Sequence, residues 1–421
     1  MRRILIIILI LLVVATGVWY FYIRPRQAAG ISPVPNVLKS FFPTSTSSTG
    51  SFGTGTNPSA NGTGTGGTAA TSPFKQITAL PIAGYTIFSI SNQVSVPSVT
   101  DPTAKPTVET VVDHMIRYVS RPNGYVYEIK DGGIPLQISN IFIPNIYEAD
   151  FADSNNTAIL RFLRSDDETI ATYSVPIPPL NTDGTRTQKS GTYLPDNISE
   201  LAVSPDSTEV ARVTTNSNGA IISTSNTSGG SIKTMAQSPF TEWVPMWAGK
   251  TLYIQTKAAA VANGFLYSIN PSTARLQRVV GSVPGLTASV SPSGTYVLYS
   301  QSTATGFTTE LLNTKTNTTT DLSLDILPEK CAWLQNEDLI CAGSNSVPAG
   351  TYPDEWYAGT LHFSDQLYHI ATASDTYTVL YNDENTSESF DMTNLQVDEG
   401  QQIVYFIDKS TGLLWQFSYG S

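Results

Sequence analysis

The sequence has few of the side chains on which most catalytic and metal sites depend. Only three histidines and two cysteines occur in 421 residues. No two histidines stand at a metal-ligand spacing such as H-x-x-x-H, and no G-x-S-x-G motif indicates a nucleophile elbow. We therefore predict no catalytic residue, no metal and no cofactor. The histidines are His114, His362 and His369.

Acidic residues are missing from the first hundred positions. Asp101 is the first of 34 Asp and Glu residues, whereas five basic residues precede residue 74. The formal net charge of the whole chain is −11, so the part after residue 74 is more acidic still. Because such a surface repels phosphate groups, we expect no nucleic-acid partner. A cation or a basic surface would suit it better.

An uncharged, mostly apolar run occupies positions 4–23. As a helix, a run of this length spans about 30 Å, which is the thickness of the hydrocarbon core of a bilayer. Arg2 and Arg3 precede it, and aromatic residues lie near its far end, where such rings favour the interface. We predict a membrane anchor at 1–23, in a single-pass protein of the cell membrane whose remainder lies outside the cytoplasm. A cleaved signal peptide is the alternative.

The next segment, residues 24–73, is dominated from Pro43 onward by Gly, Ser and Thr. A composition with so few large apolar side chains cannot bury enough surface to fold. We predict a disordered linker at 24–73 and a folded domain at 74–421.

Beyond residue 74, short runs rich in Val, Ile, Tyr and Thr alternate with turn residues, and helical periodicity is nearly absent. Proline recurs ahead of successive hairpins about every 44 residues. Because proline has no N–H to donate, it is excluded from central strands and marks the loops between sheets. That period, with four short strands, is typical of a propeller blade. The prolines with this spacing are Pro195, Pro239, Pro284 and Pro328.

Two turns that follow inner strands, SPDS at 204–207 and SPSG at 291–294, resemble those of TolB-type WD-like propeller repeats. The resemblance covers residues 74–421 and implies a propeller fold that serves scaffolds, binding modules and enzymes alike. Counting hairpins predicts an all-β, seven-bladed β-propeller. Its last blade has only three strands near the C-terminus, so we expect FKQITAL (74–80) to supply the fourth as a velcro closure of the ring.

Two insertions interrupt the period. Residues 91–113 lie between the first and second strands of blade one, and residues 343–363 lie between the second and third strands of blade six. Loops between second and third strands emerge on the face that carries the proline loops. The blade-six insertion is therefore expected to hang over that face.

That face is the predicted binding surface. Three glutamates at the starts of the inner strands of blades two to four are expected to form an acidic arc, and the blade-six insertion adds aromatic and acidic side chains. This combination suits a cationic or sugar-like ligand, or a protein hot spot. The alternative is solvated loop charges, with aromatic side chains that anchor a long loop. The candidate residues are Glu148, Glu200, Glu242, Tyr352, Asp354, Glu355, Trp356 and Tyr357.

The only two cysteines, Cys331 and Cys341, flank the turn QNED on adjacent predicted strands of blade six. Antiparallel partners have Cα atoms about 4.5–5.5 Å apart, within disulfide range. Since such a pair oxidises outside the cytoplasm, we predict a disulfide. Two buried thiols are the alternative.

The sequence thus favours a membrane-tethered, monomeric propeller outside the cytoplasm that acts as a scaffold and binds a protein or cell-envelope component on the proline-loop face. The alternative is an enzyme, either a lyase or hydrolase of envelope polysaccharide or a quinone-dependent oxidoreductase. DKSTGLLWQF (408–417) resembles the turn of quinone propellers, but it occurs once rather than in most blades. Whether the protein is an enzyme is left open.

Overall fold

The computed structural model describes residues 72–96, 107–181, 184–270, 273–382 and 388–420. The predicted membrane anchor at 1–23 and most of the predicted linker lie outside these ranges. Within them, no helix has both the length and the apolar character needed to cross a membrane. The chain divides into two compact units, and one of them, Thr65–Trp356 with Leu361–Ser421, holds every strand described below. Of the other unit, the structure describes only Tyr357–Thr360.

The described residues form seven antiparallel sheets of four strands each, which confirms the predicted seven-bladed propeller. Blade one consists of β2 (Ile82–Val96), β3 (Thr107–Ser120), β4 (Val126–Lys130) and β5 (Leu136–Gln137). Blade two consists of β6 (Glu148–Ala152), β7 (Thr157–Leu163), β8 (Ile170–Pro176) and β9 (Thr192–Tyr193). Blade three consists of β10 (Ile198–Val203), β11 (Glu209–Asn216), β12 (Gly219–Asn226) and β13 (Lys233–Ser238). Blade four consists of β14 (Trp243–Ala248), β15 (Thr251–Thr256), β16 (Asn263–Ile269) and β17 (Leu276–Pro284).

The remaining three blades follow the same plan, except that the last takes a strand from the other end of the described chain. Blade five consists of β18 (Thr287–Val290), β19 (Tyr296–Ser302), β20 (Phe307–Asn313) and β21 (Thr318–Asp321). Blade six consists of β22 (Cys331–Trp333), β23 (Leu339–Gly343), β24 (Gln366–Ala371) and β25 (Thr376–Tyr381). Blade seven consists of β26 (Met392–Asp398), β27 (Ile403–Asp408), β28 (Leu414–Ser418) and β1 (Phe74–Gln76). A short 3₁₀ helix (Pro328–Lys330) precedes β22, and helix α1 (Asp354–Tyr357) lies in the blade-six insertion.

Burial decreases from the second strand of a blade to its outer strand. The second strand β15 is buried through its middle, whereas all four residues of the outer strand β21 are exposed. A strand covered on both faces reads as a nearly continuous apolar run, and a solvated edge reads as Thr and Asp. The sequence TLYIQT is therefore typical of a buried second strand, and TTTD is typical of an exposed outer strand.

The core consists of seven clusters of buried apolar side chains, each of which lies between two consecutive blades. One cluster joins blade seven to blade one, because Tyr405 and Leu414 pack with Ile82 and Ile116. A four-stranded blade cannot cover both of its own faces, so each blade depends on its neighbours for burial. The cluster between the last blade and the first closes the ring.

Strand β1 provides the predicted velcro closure. It pairs antiparallel with β28, with Phe74 opposite Phe417. The Phe74 side chain is only 6% exposed, and its ring centroid lies 4.7 Å from those of Tyr381 and Phe390. One short strand thus attaches the start of the domain to both blade six and blade seven.

Residues 91–113 differ from the prediction. We expected an insertion that separates the first two strands of blade one. Instead, its ends extend those strands into one long hairpin, because Ser91 to Val96 pair with Val112 to Thr107. Valine and threonine recur along this stretch and favour the extended conformation even without burial. The described part of the hairpin beyond the blade is exposed.

The two cysteines form a disulfide in the structure. Cys331 and Cys341 face each other directly across β22 and β23, with their Cα atoms 4.0 Å apart. Cys341 is fully buried, in the cluster between blades five and six. The bond joins the shortest inner strand to the buried second strand of its blade.

Replacing both cysteines with alanine is expected to lower the free energy of unfolding by about 2–3 kcal/mol, because the disulfide closes only a short loop in the unfolded chain. Urea unfolding of the oxidised protein and the double variant measures this difference. The double variant and the wild type should agree under reducing conditions, apart from the small effect of the two lost thiols. A difference that persists in reductant would assign the loss to packing.

Candidate functional site

The inner strands all begin on one face of the ring, which we call the loop face. It carries the loops that precede each inner strand and those between second and third strands. Three predicted site residues are at or next to the starts of inner strands. Glu148 is the first residue of β6, Glu200 lies near the start of β10, and Glu242 directly precedes β14.

Arg161 links the first two of these positions. This buried guanidinium on β7 forms an ion pair with Glu148, which is opposite it across the strands. It also donates hydrogen bonds to the backbone carbonyls of Ile198 and Ser199, both at 2.8 Å. Because those carbonyls belong to blade three, Arg161 connects two blades at the loop face.

Lys257 links the other two. Its Nζ lies 3.4 Å from Glu200 Oε1 and 3.9 Å from Glu242 Oε2. Its backbone N–H donates to the Glu242 carbonyl at 3.1 Å. The three glutamates therefore do form the predicted arc, but two cations alternate with them. The arc is a mixed-charge line rather than an acidic surface, and neither Arg161 nor Lys257 was among the predicted site residues.

Two carboxyl groups at this line, those of Asp150 and Glu200, have raised pKa values. Asp150 lies two residues beyond Glu148 on β6, and burial together with the Glu148 charge raises its pKa to about 7. Burial also raises the pKa of Glu200, an effect that the Lys257 ammonium opposes. Perturbed carboxyl groups of this kind are common at functional sites, although structural ion-pair networks produce them as well.

Replacing Asp150 with asparagine is expected to raise the melting temperature by a few degrees at about pH 8 and by little at about pH 4. The folded wild type holds a proton on Asp150 that the unfolded chain releases at a lower pH. Wild-type stability therefore falls as the pH rises from the ordinary carboxyl range through about 7. Thermal melts across this range measure the effect.

Asp206 offers a matched control for that experiment. It lies in an exposed turn, where hydrogen bonds from Ser204 and Thr208 lower its pKa. Asp206→Asn should therefore destabilise the protein more at high pH than at low pH, which is the opposite sign. The same pH response in both variants would contradict the assignment to Asp150.

The blade-six insertion occupies the loop face, as expected. Its Tyr352 ring packs on Phe307 of blade five, with centroids 4.8 Å apart. Its Asp354 Oδ2 accepts a hydrogen bond from the backbone N–H of Ala260 in blade four at 2.7 Å. The insertion therefore reaches across blade five from blade six to blade four.

The predicted site residues of the insertion differ in their exposure to solvent. Tyr352 and Trp356 are buried, at 1% and 3% exposure. They therefore anchor the loop, which agrees with the alternative that its aromatic side chains have a structural role. Glu355 is exposed and accepts a hydrogen bond from the Thr351 N–H. Tyr357 ends helix α1. A role for these residues in ligand binding stays a prediction.

Large apolar side chains are exposed on the loop face. Phe240, in the proline loop before β14, is 65% exposed, and Val261, between β15 and β16, is 96% exposed. Glu242 and Lys257 lie in the same two loops. We call these four residues the blade-four surface. The sequence indicated only Glu242 among them.

On the opposite face, His114 Nδ1 lies 2.7 Å from Asp398 Oδ2 and 3.4 Å from Ser89 Oγ. A catalytic triad needs the hydroxyl and the carboxylate on different ring nitrogens. Here both contact the same nitrogen, so the arrangement does not activate Ser89. Among the residues that the structure describes, no group of three His, Cys, Asp or Glu side chains could hold a metal ion.

No family model matches the chain, and no curated protein matches it. Solved structures are similar at low identity. A complex of oligogalacturonate lyase with manganese is 8% identical, with a TM-score of 0.48, over 80% of this chain and 98% of that one. The β-propeller domain of the trilobed protease from Pyrococcus furiosus is 9% identical, with a TM-score of 0.47, over 74% of this chain and 92% of that one. TolB from Acinetobacter baumannii is 9% identical, with a TM-score of 0.39, over 70% of this chain and 78% of that one.

Likenesses of this size carry no argument about what the chain does. The propeller assignment is supported by the sheet order and the clusters between blades. Membership of the TolB-type repeat family, which the SPDS and SPSG turns suggested, stays a prediction.

Proposed function

We propose that the protein is a membrane-tethered propeller outside the cytoplasm that binds a protein or cell-envelope component through the blade-four surface. The observation that carries the proposal is the exposure of Phe240 and Val261 beside Glu242 and Lys257. Exposed aromatic and aliphatic side chains with charged neighbours are typical of protein-interaction hot spots. The tether is supported by the uncharged run at 4–23.

The two loops that carry the blade-four surface are held in place by hydrogen bonds and by a buried side chain. The Trp243 indole N–H donates to the Phe240 carbonyl at 3.1 Å, and the Trp243 side chain is buried between blades three and four. The loop that carries Val261 is fixed by the hydrogen bond from the Ala260 N–H to Asp354. A surface held in one conformation loses little entropy when it binds a partner.

The test is photo-crosslinking in the native cell envelope. A photoreactive residue at position 240 of the full chain is expected to yield one dominant adduct, and an excess of unlabelled wild-type protein should compete it away. The same residue at position 232 is the matched control, because Ile232 is 61% exposed but lies in a loop on the opposite face. Equal labelling from both positions, or none from 240, would contradict the proposed surface.

The tether is tested separately by fractionation. The full chain is expected in the membrane fraction and to resist extraction by high salt, since a span of apolar residues is held by the hydrophobic effect rather than by charge. A chain without residues 4–23 should be released. If both forms fractionate alike, the tether is wrong, while the crosslinking result on the blade-four surface would still stand.

A further inference from the structure

Lys330 is a buried lysine next to two buried carboxyl groups. It lies at the end of the 3₁₀ helix that precedes β22, and it is 1% exposed. Its Nζ is 2.7 Å from Asp365 Oδ2 and 2.6 Å from Asp391 Oδ1. Asp365 directly precedes β24, the third strand of blade six, and Asp391 directly precedes the inner strand of blade seven.

Two aromatic rings pack against this cluster, and the half-exposed His362 approaches it with Nδ1 3.6 Å from Asp391 Oδ2. The Phe363 and Trp356 ring centroids lie 4.9 and 5.4 Å from Lys330 Nζ, and both rings are buried. Charges in a medium of low polarity lose their hydration, so a buried carboxyl group favours its neutral form. Burial accordingly raises the pKa of Asp365 to about 6.

The two carboxyl groups are held differently. Asp391 accepts hydrogen bonds from the Trp356 indole N–H, at 3.1 Å to Oδ2, and from the Phe363 backbone N–H at 3.4 Å. These donors fix the orientation of the Asp391 carboxyl group beside Lys330. Asp365 accepts the Met392 backbone N–H on Oδ2 at 2.6 Å. Its Oδ1 is buried and accepts no hydrogen bond.

We propose that Lys330 and Asp365 form an intramolecular amide, with Asp391 as the general base and acid that moves the protons. The geometry suits attack, because Nζ lies 2.7 Å from Oδ2, one bond away from the carboxyl carbon. Near-attack arrangements hold the reacting atoms about 3–3.5 Å apart. The class of modification is a side-chain isopeptide bond.

The step balances without a co-reactant. The Lys330 ammonium passes one proton to Oδ2 of Asp365, which it contacts, and this leaves a neutral amine and a carboxylic acid. The Nζ lone pair forms the bond to Cγ, and Asp391, whose Oδ1 contacts Nζ, accepts a second proton from the nitrogen. Asp391 returns that proton to Oδ2, the Cγ–Oδ2 bond breaks and water leaves. Oδ1, which accepts no hydrogen bond before the reaction, stays as the amide oxygen. Nothing is oxidised or reduced.

The amide would join the segment before β22 to the residue before β24, just after the insertion that crosses the loop face. The disulfide between Cys331 and Cys341 begins one residue later. Two covalent bonds would then hold blade six together at the position where the repeat is interrupted. This inference concerns the chemistry of the folded chain and does not depend on the proposed binding function.

Peptide mass mapping of the full-length wild-type protein tests the proposal. Trypsin cleaves after unmodified lysine, so a free Lys330 yields a peptide of residues 316–330. An amide blocks this cleavage and joins that peptide to the one that contains Asp365. The expected product is a single peptide of residues 316–409, lighter by one water molecule. Full recovery of the 316–330 peptide from the wild type would overturn the proposal.

Two variants complete the test. Asp365→Ala removes the acceptor and should restore the 316–330 peptide, which shows that trypsin can cleave at this position. If that peptide is absent here as well, the blocked cleavage does not come from the amide, and the proposal fails. Asp391→Asn keeps both reacting groups but removes the proton-transfer group, so unlinked chain should accumulate. Complete linkage in Asp391→Asn would overturn the role given to Asp391.

Discussion

Replacing Phe74 with alanine is expected to lower the free energy of unfolding by about 3–5 kcal/mol, the usual cost of deleting a buried phenylalanine side chain. Strand β1 has only three residues, so its backbone pairing with β28 is brief. The ring supplies most of the attachment, because it contacts aromatic rings of both blade six and blade seven. Urea unfolding followed by tryptophan fluorescence measures the loss.

Leu80→Ala is the matched control for that experiment. Leu80 lies in the same segment and is 54% exposed, so its truncation should change the free energy of unfolding by less than about 0.5 kcal/mol. A similarly small loss for Phe74→Ala would mean that the ring closes without β1. The velcro closure would then make no energetic contribution, whatever its geometry.

The blade period could be predicted because each blade repeats the same local signals. A turn such as SPSG precedes an apolar second strand, as at β19, and proline recurs in the loops between blades or at the end of an outer strand, as at Pro284. These signals depend on neighbours in sequence. The closing strand also followed from the sequence. The last blade has only three strands, and one strand at the start of the domain belongs to no other blade, so the two together complete a four-stranded sheet.

The charged partners could not be predicted in this way. Arg161 and Lys257 reach glutamates through cross-strand register and through the approach of a neighbouring blade. Both depend on the assembled ring. The burial of Lys330 is a clearer case, since its partners Asp365 and Asp391 are distant in sequence. From the sequence, a lysine in a loop is predicted to be exposed to solvent. Its burial becomes evident only when the structure of the insertion that covers it is known.

The hairpin at 91–113 was missed for a local reason. Its described residues mix valine with serine, asparagine and glutamine, a composition that does not alternate cleanly between a buried and a solvated face. Periodicity identifies a strand by its buried side. A hairpin exposed on both faces leaves no such pattern, although its cross-strand pairs are regular.

Arg161→Met is expected to lower the free energy of unfolding by about 3–5 kcal/mol, the usual range when one partner of a buried ion pair is removed. Glu148 is 37% exposed and can be partly hydrated. The loss of the ion pair therefore accounts for the smaller part of the expected decrease in unfolding free energy. The larger part comes from the buried carbonyl of Ile198 and from that of Ser199, which lose their donor at the junction of blades two and three. Urea unfolding of the two proteins measures the loss.

The loss should grow with pH. Arg161 lowers the pKa of Asp150, so its removal moves that pKa further above its ordinary value. The variant therefore loses stability as the pH rises through about 7, because its folded form must then ionise carboxyl groups without the compensating cation. Arg164→Met is the matched control, since Arg164 and its partner Asp196 are 42% and 45% exposed and such solvated pairs contribute little to stability. If both variants lose the same amount at every pH, Arg161 is an ordinary surface charge and the mixed-charge line does not stabilise the ring.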